Sequence, residues 1–173
     1  MAYDSQSARY SDILLAVKNR VVEVFEVEPS VVRIVANDRY RVHQVDSGDL
    51  QIYLRSYGPE PDVDHGGGRR SRPKKRLLRV YLYYRNSLDQ AGDDETALTA
   101  EDGLFDLEDK LLDALDDHFP LSDDDLPLTI EPLHPLNSAE GPPLREEEDD
   151  IGVLRVHHDF EVRYVGKNQT PAP

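Results

Sequence analysis

With 173 residues, 38% of them hydrophobic and 32% charged, the chain has the length of one domain, and its core must come from apolar residues that recur periodically. A chain of this length buries most of its apolar surface without metal or disulfide staples, and the absence of cysteine excludes disulfides, thiolate metal sites and cysteine nucleophiles. A net charge of −15 disfavours general binding to nucleic acid or anionic lipid, and no apolar run reaches the length of about 18 residues that a membrane span needs.

The N-terminus, Met1-Ala2-Tyr3-Asp4, lacks a basic region followed by an apolar stretch, so no secretion signal is expected. The first element reads as a helix: Tyr10, Ile13, Leu14, Val17, Val21 and Val24 form one apolar stripe at a period near 3.6. Ser7 or Ser11 is the expected cap, and Pro29 forbids continuation beyond about Glu28. Strand-like blocks follow at Val31–Ala36, Arg41–Val45 and Leu50–Leu54, divided by Asn37-Asp38 and Asp46-Ser47-Gly48, which predicts two or three antiparallel strands with short turns.

Residues 58–75 read as a loop, with Gly66-Gly67-Gly68 and then the run Arg69-Arg70-Ser71-Arg72-Pro73-Lys74-Lys75-Arg76. A strong strand comes next, over Leu77–Arg85. Leu78, Val80, Leu82 and Tyr84 share one of its faces; Arg79, Tyr81, Tyr83 and Arg85 share the other. Together with residues 50–57 it predicts a long hairpin whose tip is the loop. Residues 86–98 are an acidic loop. Thr99 followed by Asp102 resembles a capping box that opens a helix carrying Leu104, Leu107, Leu111, Leu115 and His118 on one face, stopped by Pro120. At the end of that helix the dipole favours charged His118.

Leu128-Thr129-Ile130, between Pro127 and Pro132, is a short edge strand, and residues 134–150 are a further loop. The last strand is the longest. Leu154, Val156, His158, Phe160, Val162 and Tyr164 alternate with Arg155, His157, Asp159, Glu161 and Arg163, so one face packs and the other meets water or a partner. Residues 166–173 are a frayed tail. The chain is expected to be a single α+β domain: an antiparallel or mixed β-sheet with two main helices packed on it and a long β-hairpin.

Charge is divided along the chain. Residues 1–87 carry 15 Lys and Arg against 11 Asp and Glu, net +4, whereas residues 88–173 carry 5 against 24, net −19. Such a chain can set positive against negative between copies of itself. Asp outnumbers Glu 22 to 13 and Arg outnumbers Lys 15 to 5, a bias resembling that of proteins from salt-loving organisms and equally that of a GC-rich genome.

No catalytic motif stands out. His157, Asp159 and Glu161 share a strand face, so a three-ligand metal site is geometrically open, but His alternating with charge is commoner on a solvated sheet face. His158, on the apolar face, reads as a satisfied core or interface histidine. The acid runs Asp123–Asp125 and Glu146–Asp150 lack the spacing of a calcium loop, and Gly66-Gly67-Gly68 lacks the strand–turn–helix context of a phosphate loop. No cofactor is implied. The sharpest feature is the basic run, and the candidate protein-interface residues are Arg69, Arg70, Arg72, Lys74, Lys75 and Arg76 with Tyr81 and Tyr83, since tyrosine suits an interface if it faces outward.

The opening helix Arg9-Tyr10-Ser11-Asp12-Ile13-Leu14-Leu15-Ala16-Val17, the Leu104–Phe119 helix, Leu128-Thr129-Ile130 and the ending Phe160-Glu161-Val162-Arg163-Tyr164 form an order of elements that resembles the tail terminator (tail completion) proteins of long-tailed viruses. The resemblance implies a non-enzymatic virion protein of the tail or neck, assembled in the host cytoplasm. It implies a homo-oligomer, a six-membered ring that caps the tail-tube protein and joins a head–tail connector or portal-adaptor protein, with no membrane and no specific nucleic acid recognition. A neck connector is the alternative. A nucleic-acid-associated module using residues 69–76 is a second, and a metal enzyme built on His157, Asp159 and Glu161 a third.

Overall fold

A computed structural model of the chain describes residues 9–36, 50–57, 60–61, 73–86, 98–99, 101–123, 126–127, 131–136, 144–148 and 151–165. The predicted strand at Arg41–Val45, the Asn37-Asp38 turn and the edge strand Leu128-Thr129-Ile130 lie outside these residues. So do the hairpin-tip residues 62–72.

Helix α1 spans Tyr10–Phe25 and buries Ile13, Leu14, Val17, Val21 and Phe25, the stripe that the 3.6-residue period requires. Ser11 lies inside it, and Arg9 holds the extended cap position without a side-chain hydrogen bond; Ser7 lies outside the described residues. The helix stops before Pro29 acts. Glu26 turns into the left-handed region at φ 54°, its N–H donating to the Glu23 carbonyl and that of Val27 to the Val22 carbonyl. This is a Schellman ending, with Val22 and Val27 packed on the core beneath it.

Strand β1 (Val32–Val35) pairs in parallel with β2 (Leu50–Ser56), Val32 opposite Ile52 and Val35 opposite Arg55. This corrects the expected antiparallel pair. Residues 36–49 separate the strands, and about a dozen residues is what a parallel crossover needs and far more than a hairpin turn. A two-residue strand, β3 (Glu60–Pro61), then pairs with the start of β4 (Pro73–Asn86). Strand β4 begins at Pro73, four residues before the expected Leu77, so Lys74, Lys75 and Arg76 belong to the sheet and not to a loop. Strands β2 and β4 form the expected long hairpin, from Leu50 opposite Tyr84 to Ser56 opposite Leu78.

Helix α2 spans Leu104–Leu115 and buries Leu104, Leu107, Leu111, Ala114 and Leu115. Gly103, and not Thr99, holds the cap position of this helix, and the Asp106 carboxylate accepts the Asp102 N–H at 3.2 Å. The helix ends three residues before His118, so the dipole argument for that residue does not apply. Asp117 and His118 instead bond the backbone of the buried Leu133, with His118 accepting from the Leu133 N–H at 2.9 Å. Strands β5 (Ser122–Asp123) and β6 (Leu126–Pro127) make a separate two-residue pair.

Two strands, β7 (His134–Leu136) and β8 (Leu144–Glu148), occupy what reads in sequence as a loop. Both pair antiparallel with β9 (Ile151–Val165). Their prolines and acids hide them from a periodicity test, because edge strands tolerate both. The sheet order is β1-β2-β4-β9-β7, with β3 against β4 and β8 against β9. It is a mixed sheet with two helices, an α+β fold. Its central ladder is β4–β9, paired without a break from Pro73 opposite Val165 to Asn86 opposite Gly152. The helix stripes close over Ile52, Leu54, Leu78, Val80, Leu82, Val156, Phe160 and Val162 in one apolar cluster.

Glu26 bears the cost of a Cβ in the left-handed region, about 1 kcal/mol. Glu26→Gly should therefore raise the melting temperature, and a thermal scan showing a lowered midpoint would contradict the Schellman reading of this turn.

Candidate functional site

Successive residues of β4 and β9 point to opposite faces, and the antiparallel register decides what meets across them. The odd-numbered face away from the helices is laid out in rows. Arg55, Arg79 and Asp159 form one row; Tyr53, Tyr81 and His157 the next; Gln51, Tyr83 and Arg155 the third. The middle of this face is buried. Tyr53, Tyr81 and Tyr83 are 1%, 4% and 2% exposed, and Gln51, Asp159 and Glu161 are buried as well. The face expected to meet water or a partner is thus buried along its middle, and Tyr81 and Tyr83 are not placed outward as an interface role requires.

Arg79 holds Asp159 with two hydrogen bonds, Nε to Oδ1 at 2.6 Å and Nη2 to Oδ2 at 2.8 Å. Such a fork uses both carboxylate oxygens at once. The hydrogen bonds that Arg79 donates to Asp159 raise the Arg79 pKa against the opposing effect of burial. Tyr57 lies over both arginines of this row, with Arg55 4.5 Å and Arg79 5.4 Å from its ring centroid. A ring that both guanidiniums approach eases the contact of two like charges that the register sets opposite each other. Tyr53 meets Tyr83 edge-on at 5.1 Å, and Tyr81 lies 5.7 Å from the His157 ring.

A second network lies toward the start of β4. Lys75 and Arg163 each reach a different oxygen of Glu161 at 2.5 Å, and Arg163 extends to Glu131 at 2.8 Å. Burial by itself would raise the Glu161 pKa; the bonds from Lys75 and Arg163 more than reverse this and hold it below its ordinary value. On the other face Arg76 acts as a clamp. Its guanidinium stacks on Tyr10 at 4.4 Å and its Nε donates to the Tyr164 hydroxyl at 3.1 Å, tying the first turn of α1 to the end of β9. Burial pushes the Tyr10 hydroxyl up to about 12, against the pull of Ser56 and Arg76 and with that of Tyr164.

Of the expected interface residues, then, Lys75 and Arg76 are tied to partners inside the chain. Lys74 is half-buried at the start of β4, and Arg69, Arg70 and Arg72 lie outside the described residues. The carboxylates of the conceivable metal set are engaged by cations, and among the described residues no group of three His, Asp or Glu side chains is placed to hold an ion. His158 is satisfied as expected: its Nε2 lies 2.8 Å from Glu108 Oε1, a polar link from β9 to α2. Sequence reasoning missed Arg79–Asp159 because the partners are 80 residues apart and only the register aligns them. No family model matches the chain, and neither does any curated protein sequence.

Removing one member of a buried ion pair strands the other. Asp159→Leu should destabilise the chain by about 3 kcal/mol, whereas Arg79→Leu with Asp159→Leu should cost clearly less than the sum of the two single changes. Urea titrations of the four proteins measure this coupling, and additive losses would show that the fork contributes nothing.

Stability should also fall in two stages on acidification. Burial, aided by Arg20, lowers the His118 pKa, and burial, aided by Arg79, lowers that of His157, both below the ordinary 6.5. The unfolded chain therefore takes these protons first, and stability drops as the pH falls below about 6.5. The contribution of Glu161 is present above about 4.5 and is lost as the pH falls through its lowered pKa. The double variant His118→Gln, His157→Gln should flatten the first stage in a series of urea midpoints and leave the second in place.

Proposed function

We propose that the chain is a structural virion protein, a tail terminator that caps the end of a viral tail tube as a ring and joins it to the head connector. The observation that carries this reading is the order of elements in one sheet. An opening helix, a long hairpin, an acidic amphipathic helix and a long last strand are joined through one apolar cluster, the plan that the resemblance implies. Binding to the exposed end of a polymer asks for rigid strands and charged surfaces, not for a reaction centre. The unbroken β4–β9 ladder supplies the rigidity, and the division of charge between the two halves of the chain supplies the surfaces.

The tagged protein should recover a tail-tube protein from its own source in an affinity pull-down in high salt, read by mass spectrometry. Recovery dominated by a portal protein would replace the terminator with a neck connector. Recovery of only cellular proteins or nucleic acid would overturn the tail reading and shift the role to the basic run.

A further inference from the structure

Helix α2 ends on a joint with the residues that lead into β7. Its last turn closes with the Asp116 N–H on the Leu112 carbonyl at 2.7 Å and the His118 N–H on the Leu115 carbonyl at 3.2 Å. Asp117, between them, stands in the left-handed region at φ 50°, a conformation that costs any residue with a Cβ. Its backbone is held there by Leu133, which directly precedes β7 and is fully buried in the apolar cluster. The Asp117 N–H donates to the Leu133 carbonyl at 3.2 Å, and the Leu133 N–H donates to the His118 carbonyl at 2.9 Å. From the other side Arg20 of α1 donates to the Ala114 carbonyl in the last turn of α2. These bonds tie the end of α2 to the β7 edge of the sheet, and a titratable side chain sits on the residue that accepts one of them.

We infer that this joint is an acid-sensitive latch: protonation of His118 weakens its hold on Leu133 and lets the β7 edge part from the end of α2. His118 is half-buried in the closed joint. Among the described residues the charges that act on its ring are Arg20 and Glu23 of α1. Arg20 is fixed by the Ala114 carbonyl at 3.3 Å and by Glu23 at 3.7 Å. Charging the ring therefore sets a second cation near Arg20, and Glu23 offsets this in part. On the β7 side the titratable neighbours of Leu133 are Glu131 and His134, whose Nε2 lies 3.5 Å from the Glu131 carboxylate; Arg163 holds the same carboxylate at 2.8 Å. Asp116 and Asp117, beside His118 in the chain, are exposed to water, where their effect on the ring is weak. Burial first and Arg20 second keep the imidazole of the closed joint neutral, with its pKa below the ordinary 6.5. An opened joint returns the ring to water and takes the proton more readily, so opening is favoured as the pH falls below about 6.5. The latch goes beyond the terminator reading and does not depend on it.

Hydrogen exchange at single amides, read by nuclear magnetic resonance at about pH 7.5 and about pH 5 and corrected for the intrinsic pH dependence of exchange, tests the latch. The Leu133 N–H reports the joint. The Leu82 N–H, at the centre of the sheet between Ile52 and Val156, reports opening of the whole chain. Leu133 should be less protected than Leu82 at both pH values, and its protection should fall about threefold or more on acidification. In His118→Gln that fall should disappear. Asp117→Gly relieves the left-handed residue and should raise the protection of Leu133 at both pH values, with the acid response kept. Circular dichroism confirms that His118→Gln is folded; if it is not, His118→Asn takes its place. Equal protection of Leu133 and Leu82, a Leu133 protection unchanged by acid, or a full acid response in the folded His118 variant would each overturn the latch.

Discussion

The pairing of β4 with β9 is the constraint on which the rest of the structure depends. Each strand runs the length of the sheet, and their register sets the two faces at once. On one face it aligns Leu78, Val80 and Leu82 with Phe160, His158 and Val156, the floor on which α1 and α2 pack. On the other it brings Arg79 against Asp159 and Lys75 close to Glu161. A slip of one residue would exchange the faces, placing charge under the helices and leucine in the polar rows. The buried fork of Arg79 and Asp159 is satisfied in one register only, so it serves as a pin for the ladder.

Anchors at the margins fix the helices on this frame. Arg76 joins Tyr10 of α1 to Tyr164 of β9, and Glu108 of α2 meets His158. Arg20 of α1 donates to the Ala114 carbonyl of α2 at 3.3 Å, and Lys110 lies over the Phe25 ring. Polar side chains thus reach across each joint that the apolar cluster leaves at its rim. Several charges that look like free surface in the sequence are spent in this way.

Much of the fold was legible in the sequence. The stripes of α1 and α2 and the alternation of β4 and β9 obey simple periods, because each has one apolar side to bury. The parallel placement of β1, the strands β7 and β8 and the early start of β4 were not legible. Pro135, Lys74 and Glu147 carry no apolar signal, and their conformation is set by hydrogen bonds to a strand distant in sequence. The same applies to the candidate site. Six basic residues in eight mark residues 69–76 unmistakably, yet nothing local says that Lys75 is held by Glu161 and Arg76 by Tyr164. Tyr81 and Tyr83 alternate with an apolar face and so read as outward; their burial and their contacts with Tyr53 and His157 depend on a register that no local pattern displays.

The central claim is that the β4–β9 ladder runs unbroken and extended from one end of the sheet to the other. The chain has no cysteine, so spin labels can be placed uniquely at Lys74→Cys and Glu147→Cys. Pulsed electron paramagnetic resonance on labelled protein diluted into an excess of unlabelled protein reads the distance within one chain. A distribution centred near roughly 40 Å is the result the account predicts. A distance of about 20 Å or less would mean that the ladder is broken or folded back, and would contradict it.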